Sequence, residues 1–513
     1  MSTYHVENFG CRATQADGAA LERQFEARGL ARTSAAQADL VILNTCTVTN
    51  SADQDARSAI RRVRRQNPLA KIVVTGCYAQ RAPEEISELP GVSCVIGNSH
   101  KHQLADIVLD EVRLRREAFV PVGALLPSGQ RRSLAWPELG EGTNEQAPLF
   151  VSDIFAHTEL LAAPVFESAS GGAQENGRTR PNLKVQDGCD NRCSFCVIPS
   201  VRGHSRSLPL PQIIHEVNSL VAAGYREVVI SGINLGRWGR DLASGSELQT
   251  SGFGEIPEPS QLEAALKSRS PKGEARKPNF ESLIRAILSE TQLEKLRISS
   301  VEPMDWSDEL IALVAASGRI AKHAHVPLQS GSDAVLRRMH RKYRPWHYRE
   351  KIEKIRAAMP AAAIGADVMV GFPGETDADF EATHRLIADL PFTYLHVFTY
   401  SARPGTAAAA MSSQVPMHVA RERNRILREL GAEKKLAFMQ SFVGKPLDAI
   451  TLSVVRSGPG GEFAEALSDN YQKLYVRGRH AANRWITVHV EAVDEGALVG
   501  KPAWRVTKSE ALA

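Results

Sequence analysis

Six of the seven cysteines fall into two groups of three whose placement suits metal ligation. The first group is compact. Cys189, Cys193 and Cys196 lie in DGCDNRCSFC with Cys-x3-Cys-x2-Cys spacing, directly after the strand-like run NLKVQ. Iron–sulfur clusters are held by cysteine thiolates, and three ligands leave one iron of a 4Fe-4S cluster open to chelate a substrate. A structural zinc site wants four protein ligands. No further Cys or His stands nearby except His204, which falls in the loop-like RGHSRS. A thiol redox pair needs only Cys-x2-Cys and leaves Cys189 unexplained.

The second group is dispersed. Cys11, Cys46 and Cys77 each follow a strand-like run, in ENFGC, ILNTC and VVTGC. If those strands are parallel neighbours, their ends share one edge of a sheet, where ligands bind in doubly wound folds. The competing reading is three unrelated small residues in turns, and the same placement three times argues against it. Cys94 differs: it sits inside VSCVIG among apolar residues and reads as a buried core thiol. An odd cysteine number in a long chain, with no basic-then-apolar leader and no apolar run of spanning length, suits a reducing cytosolic compartment rather than disulfides.

The elements that must position these thiols alternate in type. Over the first hundred residues, strand patterns (YHVENFG, DLVILNT, KIVVTG, VSCVIG) alternate with helical stretches near 15–28, 52–65, 79–88 and from 101. That order predicts an α/β, doubly wound parallel sheet for residues 1–118. Residues 119–178, with ELGEGTNEQ and SASGGAQENGRTR, read as a linker or insertion, although FVSDIFAHTELLAAPVF is apolar enough to pack. From 179 to 416, NLKVQDG, EVVISGI, KLRISSV, HAHVPLQ, IGADVMVG and YLHVFTY alternate with helical patterns, which predicts an open (β/α)6 barrel. A polar insertion over 244–277 interrupts it. A charged helix over 417–440 leads to residues 441–508, where LDAITLSVV, KLYVRG and WITVHVEAV predict a small C-terminal antiparallel β-barrel.

Charge excludes little. Lys+Arg 62 against Asp+Glu 58 leaves a net charge of +4, so a nucleic-acid partner must be argued from local clusters. The helix near 52–65 carries Arg57, Arg61 and Arg64 at i, i+4, i+7 beside the apolar stripe Ala56, Ile60, Val63, with Arg62 and Arg65 broadening the basic side. YQKLYVRGRHAANRW places Lys473, Arg477, Arg479 and Arg484 among Tyr471, Tyr475 and Trp485, without an acid. Such a run suits phosphate contact and base stacking; the alternatives are a solvated helix face and aromatics turned into a barrel core.

The cysteine run with Phe195 before its last member resembles the radical S-adenosylmethionine signature. The resemblance implies a 4Fe-4S cluster whose open iron binds S-adenosylmethionine. It also implies a cofactor pocket at successive strand ends: Phe195; Ser231, Gly232 and Asn234 in SGIN; Ser299, Ser300 and Glu302 in SSVEP; Gln329 in PLQSGSD; and Asp367, Val370 and Gly371 in GADVMVGFPGET. With NTCTVTNSAD and TGCYAQ, the chain as a whole resembles the methylthiotransferases. That family holds a second 4Fe-4S cluster on three N-terminal cysteines and ends in an RNA-binding TRAM barrel. It usually has Asn three residues after the first cysteine, where this chain has Thr14.

Of the family's branches, TCTVTN, QDGCDNRC and RISSVEP most resemble the one acting on threonylcarbamoyladenosine in tRNA. The others act on isopentenyladenosine in tRNA and on a ribosomal-protein aspartate. The implied partners are a tRNA anticodon loop, an electron donor and a sulfur source, with the enzyme a cytoplasmic monomer and no protein general acid or base. A rival of another class is a non-catalytic RNA-binding protein with structural metal sites.

Overall fold

The computed structural model describes residues 2–109, 147–157, 159–161, 180–242, 278–458 and 461–503. The expectations for the 244–277 insertion, most of the 119–178 linker and residues 504–508 lie outside the described residues.

The N-terminal region is a six-stranded parallel sheet in the order β2-β1-β3-β4-β5-β6, with β1 Thr3–Asn8, β2 Ala31–Arg32, β3 Leu40–Thr45, β4 Lys71–Gly76, β5 Val92–Gly97 and β6 Leu149–Phe150. The last of these lies at the start of the apolar part of the linker, where Ile154 is buried. Helix α1 (Arg12–Ala27) covers one face with Leu21 and Phe25, and α2 (Asn50–Gln66) covers the other with Ala56, Ile60 and Val63. Both helices thus bury the stripes their periodicity marks. The single helix expected over 79–88 is instead two short ones, α3 (Cys77–Arg81) and α4 (Pro83–Ser87). Pro83 lacks an N–H and opens a new helix at its first turn.

The central region forms six parallel strands in two groups: β7 (Asn182–Asp187), β9 (Glu227–Gly232) and β10 (Lys295–Ile298), then β11 (His323–His325), β12 (Ala363–Val370) and β13 (Tyr394–Thr399). A Leu296–Ile320 bridge links the two groups, and a short β8 (Arg206–Ser207) pairs antiparallel with β7. The result is an open, curved half-barrel with helices on its outer face.

Helix Met417–Gln440 leads into a closed barrel, β14-β15-β16-β18-β17, built from Pro446–Gly458, Gly461–Ser468, Lys473–Arg477, Ala497–Pro502 and Trp485–Asp494. Two corrections apply. Five strands form where three patterns were read, and the β16–β18 pair is parallel rather than antiparallel. Among the described residues no helix is long and apolar enough to cross a membrane.

Candidate cluster sites and the space between them

The N-terminal thiols occupy the ends of three adjacent parallel strands. Cys11 is the N-cap of α1, Cys46 follows β3, and Cys77 opens α3 directly after β4. Two glycines make this approach possible. Gly10, with φ +97°, lies so close to Cys46 that a Cβ there would stand 2.7 Å from its Sγ. Gly76, with φ +102°, passes against the backbone of Thr45. Only glycine adopts such φ values without strain. Cys46 and Cys77 are buried, whereas Cys11 is exposed. Burial and the neighbouring thiols Cys77 and Cys11 push the Cys46 thiol up to about 12. A metal cluster would let three thiols so gathered release their protons to solvent and bind as thiolates. Asn98 Nδ2 donates to Cys77 Sγ at 3.5 Å, and Thr14 Oγ1 lies 3.5 Å from Cys11 Sγ.

The second set hangs from the loop after β7. Cys189 N–H donates to Gly203 O at 3.1 Å, and Cys196 N–H closes a turn onto Cys193 O at 3.1 Å. Ser194 ties the loop to the end of helix Asp333–Arg338 through Met339 O and Arg338 O. Donors converge on the sulfurs: Arg341 Nη1 on Cys193 at 3.3 Å, and Asn191 N–H at 3.4 Å and Asn234 Nδ2 at 3.6 Å on Cys189. Arg341 also pairs with Glu302. Burial pushes Cys196 up to about 12 and also raises Glu302. Sulfurs ringed by N–H donors fit thiolate ligation of an iron–sulfur cluster, whose potential such bonds tune.

The two sets are joined through one short helix, Ile198–Arg202. Cys77 packs on Val197 and Val201, immediately after Cys196. Asn98 Nδ2 also donates to Val201 O at 2.7 Å. At the helix end, Arg202 reaches Asp187 at 2.9 Å, Asp17 at 3.1 Å and Thr14 Oγ1 at 3.4 Å. Asp17 also pairs with Lys101 and Lys184, so a buried five-member ion network spans α1, Lys101, β7 and this helix. Thr14 therefore stands between a cluster thiol and that network.

Two family models match: Uncharacterized protein family UPF0004 over residues 3–97 and Radical SAM superfamily over residues 183–387. Threonylcarbamoyladenosine tRNA methylthiotransferase MtaB of Bacillus subtilis (strain 168) is 32% identical, over 93% of this chain and 91% of that protein. The protein of the same name from Aquifex aeolicus (strain VF5) is 34% identical over 94% and 98%. The tRNA-2-methylthio-N(6)-dimethylallyladenosine synthase of Novosphingobium aromaticivorans is 30% identical over 98% and 97%. The chain belongs to the radical S-adenosylmethionine methylthiotransferase family.

In this methylthiotransferase the residues expected at the cofactor pocket are only partly brought together. Asn234 and Glu302 adjoin the barrel thiols, directly and through Arg341. Ser231 is buried with its Oγ unpartnered, and Gly232 packs on Gln186, whose side chain binds Asn234 N–H at 2.7 Å. Ser299 N–H donates to Ile230 O, and Gln329 holds φ +65° beside β12. Phe195 meets Phe372 edge-on at 6.4 Å. Val370 is different: its side chain is wholly buried in the apolar core, so only its backbone can face a cofactor. Asp367 engages two histidines instead.

The expected RNA contacts are less free than their sequence suggests. Arg57 donates to Tyr78 Oη and pairs with Glu85 at 2.7 Å, while Arg61 and Arg64 are exposed. Lys473 pairs with Glu465, Arg477 with Glu491 and Arg479 bidentately with Glu462; the acids come from other strands and are invisible in the local run. Tyr475 lies between Arg456 and Lys473, Trp485 under Lys295, and Tyr471 against His323. Arg341, Asn98, Arg202, Asp17, Lys101, Lys184 and Asp187 carry no motif in the sequence that marks them as functional. Lys184 and Asp187 stand only three residues apart, but the other partners lie far along the chain and no spacing betrays them.

Proposed function

We propose that this enzyme adds a methylthio group to C2 of N6-threonylcarbamoyladenosine beside the anticodon of tRNA, using two 4Fe-4S clusters and S-adenosylmethionine. The observation that carries the reading is the joining of two three-cysteine sets through one short helix, with Cys77 packed beside the residue that follows Cys196. The printed names of relatives aligned along nearly the whole chain support the substrate.

Cys189, Cys193 and Cys196 would hold the cluster that binds S-adenosylmethionine, and Cys11, Cys46 and Cys77 the second. Bound at the barrel site, cluster and cofactor would supply the carbon radical that takes hydrogen from adenine C2. The protein's part is to hold and orient. Arg341 and Asn234 fix two sulfurs, and Glu302 fixes Arg341. Ser231, Gly232, Ser299 and Gln329 would surround the cofactor. Arg61 and Arg64, with Lys473, Arg477 and Arg479 exchanging their acids for phosphates, would meet the anticodon stem. A flipped adenosine must reach the space between the clusters. An electron donor and a sulfur source complete the reaction in the cytoplasm, and the enzyme acts as a monomer.

Anaerobic reconstitution tests this. The expected product binds about eight irons per chain and converts an anticodon stem–loop carrying N6-threonylcarbamoyladenosine to its methylthio derivative. Cys193→Ala should lose cofactor cleavage yet keep about half the iron. A colourless zinc protein, or loss of all iron from that one change, contradicts the reading.

A further inference from the structure

The face of the half-barrel away from its helices carries a polar row that the chemistry above does not use. β11, β12 and β13 lie side by side, with His325 opposite Gly365 and Asp367 opposite His396. Side chains alternate across a strand. Ala324, Ala366 and Val368 join the apolar core, and Leu395 packs on Gly431 of helix Met417–Gln440. His325, Asp367 and His396 therefore share the opposite, lumen face. Asp367 Oδ1 lies 3.3 Å from His325 Nε2 and 3.2 Å from His396 Nδ1. Ser300 Oγ lies 2.5 Å from His325 Nδ1.

Two features show that the row faces a ligand rather than packing. His325 is only 7% exposed, and its Nε2 has the Asp367 carboxylate at 3.3 Å outside hydrogen-bond geometry, which leaves it capacity for a better-aligned partner. The His396 side chain is 53% exposed, and Phe398, next on the same face, is 49% exposed. The lumen is thus open beside the row, with an aromatic ring free for stacking.

Neighbours of the row reach toward both thiol sets. Ser300 shares a loop with Glu302, whose partner Arg341 binds Cys193 Sγ. Arg12, adjacent to Cys11, is near enough to His323 and Tyr394 for its charge to act on both.

We propose that Ser300, His325, Asp367 and His396 form a subsite for the hydrophilic N6 substituent of the substrate adenosine. This rests on the substrate reading above. A threonylcarbamoyl group offers ureido N–H donors and carbonyl, hydroxyl and carboxylate acceptors. The carboxylate of Asp367 accepts from the former; imidazole nitrogens and the Ser300 hydroxyl serve the latter. An isopentenyl group offers neither and leaves the row desolvated and unpaired, which is the condition for strong rejection. Phe398 is placed to stack on the adenine.

The test uses reconstituted holoenzyme and anticodon stem–loops carrying N6-threonylcarbamoyl-, N6-isopentenyl- or unmodified adenosine. Wild type should prefer the first. His396→Ala should cut that preference about tenfold or more, through KM rather than kcat, with affinity for the unmodified RNA unchanged. His396→Asn, which keeps a hydrogen-bonding group, should recover part of the loss. Ser300→Ala, which removes a hydroxyl of the subsite, should move KM the same way. A His396→Ala enzyme that keeps the full preference overturns the subsite. A wild-type enzyme without the preference overturns the substrate reading itself. The three ligand atoms also lie within 4.8 Å of one another, as a divalent cation would need. Elemental analysis showing a stoichiometric non-iron metal that His396→Ala removes would make the row a metal site and overturn the proposal.

Discussion

Arg341 does more at the barrel site than its place in the sequence suggests. It is 7% exposed, binds Cys193 Sγ and is paired with Glu302, which burial makes reluctant to ionise. Removing one partner of such a pair strands the other charge. Arg341→Met should therefore destabilise the chain by about 3 kcal/mol, and adding Glu302→Gln should restore most of that. Chemical denaturation of the four proteins of this cycle measures the coupling; purely additive losses would mean that the pair does not act as one unit. At this scale the sequence was most legible for the thiols, because cluster ligation demands a residue type at fixed spacing or at repeated strand ends. It was silent on Arg341 and Arg202, whose roles depend on partners 148 and 185 residues away. It did not reveal the acids paired with Arg477 and Arg479, Glu491 and Glu462, which sit on other strands.

Among the elements, β3 and β4 followed their apolar runs closely, since parallel strands buried on both faces have no polar side to interrupt them, whereas β1 at the sheet's flank alternates. The misses have local causes. Pro83 split one helix, and GEFAEALS and ALVGKP were passed over because Glu, Ala, Gly and Pro are poor strand markers. Helix α1 carries a titratable test. Burial pushes the Glu22 carboxyl up to about 7 from 4.5, despite Arg32 nearby. The folded chain thus holds this proton more tightly than the unfolded chain. The associated stability is complete below about pH 4.5 and fades as pH rises through about 7. Glu22→Gln should add roughly 1–3 kcal/mol at pH 8 and almost nothing at pH 4. Denaturant midpoints at the two pH values check this, and an equal gain at both would mean that Glu22 is not protonated in the fold.

On the scale of the whole molecule, three buried clamps tie the regions together. The Asp17 network and the Arg403–Asp53 pair hold the N-terminal sheet to the half-barrel. Arg297, paired with Glu227, donates to the carbonyls of Ser468 and Asp469 at 3.2 Å and lies over Tyr471, so the C-terminal barrel covers the start of the half-barrel strands. The sequence reading treated that barrel as a separate RNA-binding unit; a buried arginine satisfied by distant carbonyls leaves no local signature. Arg297→Ala should free the C-terminal barrel, seen as faster proteolysis near 417–445, while both clusters still assemble; unchanged proteolysis would show that the other contacts suffice. The first two of these clamps hold the two thiol sets together, as joint chemistry upon tRNA requires. The most direct measurement is mass spectrometry of tRNA nucleosides from a strain lacking this gene, complemented with wild type or with Cys46→Ala. The 2-methylthio derivative of N6-threonylcarbamoyladenosine should disappear, return with wild type and not return with Cys46→Ala. An unchanged level of that nucleoside in the deletion strain, or loss of the isopentenyl derivative in its place, would contradict the proposed activity.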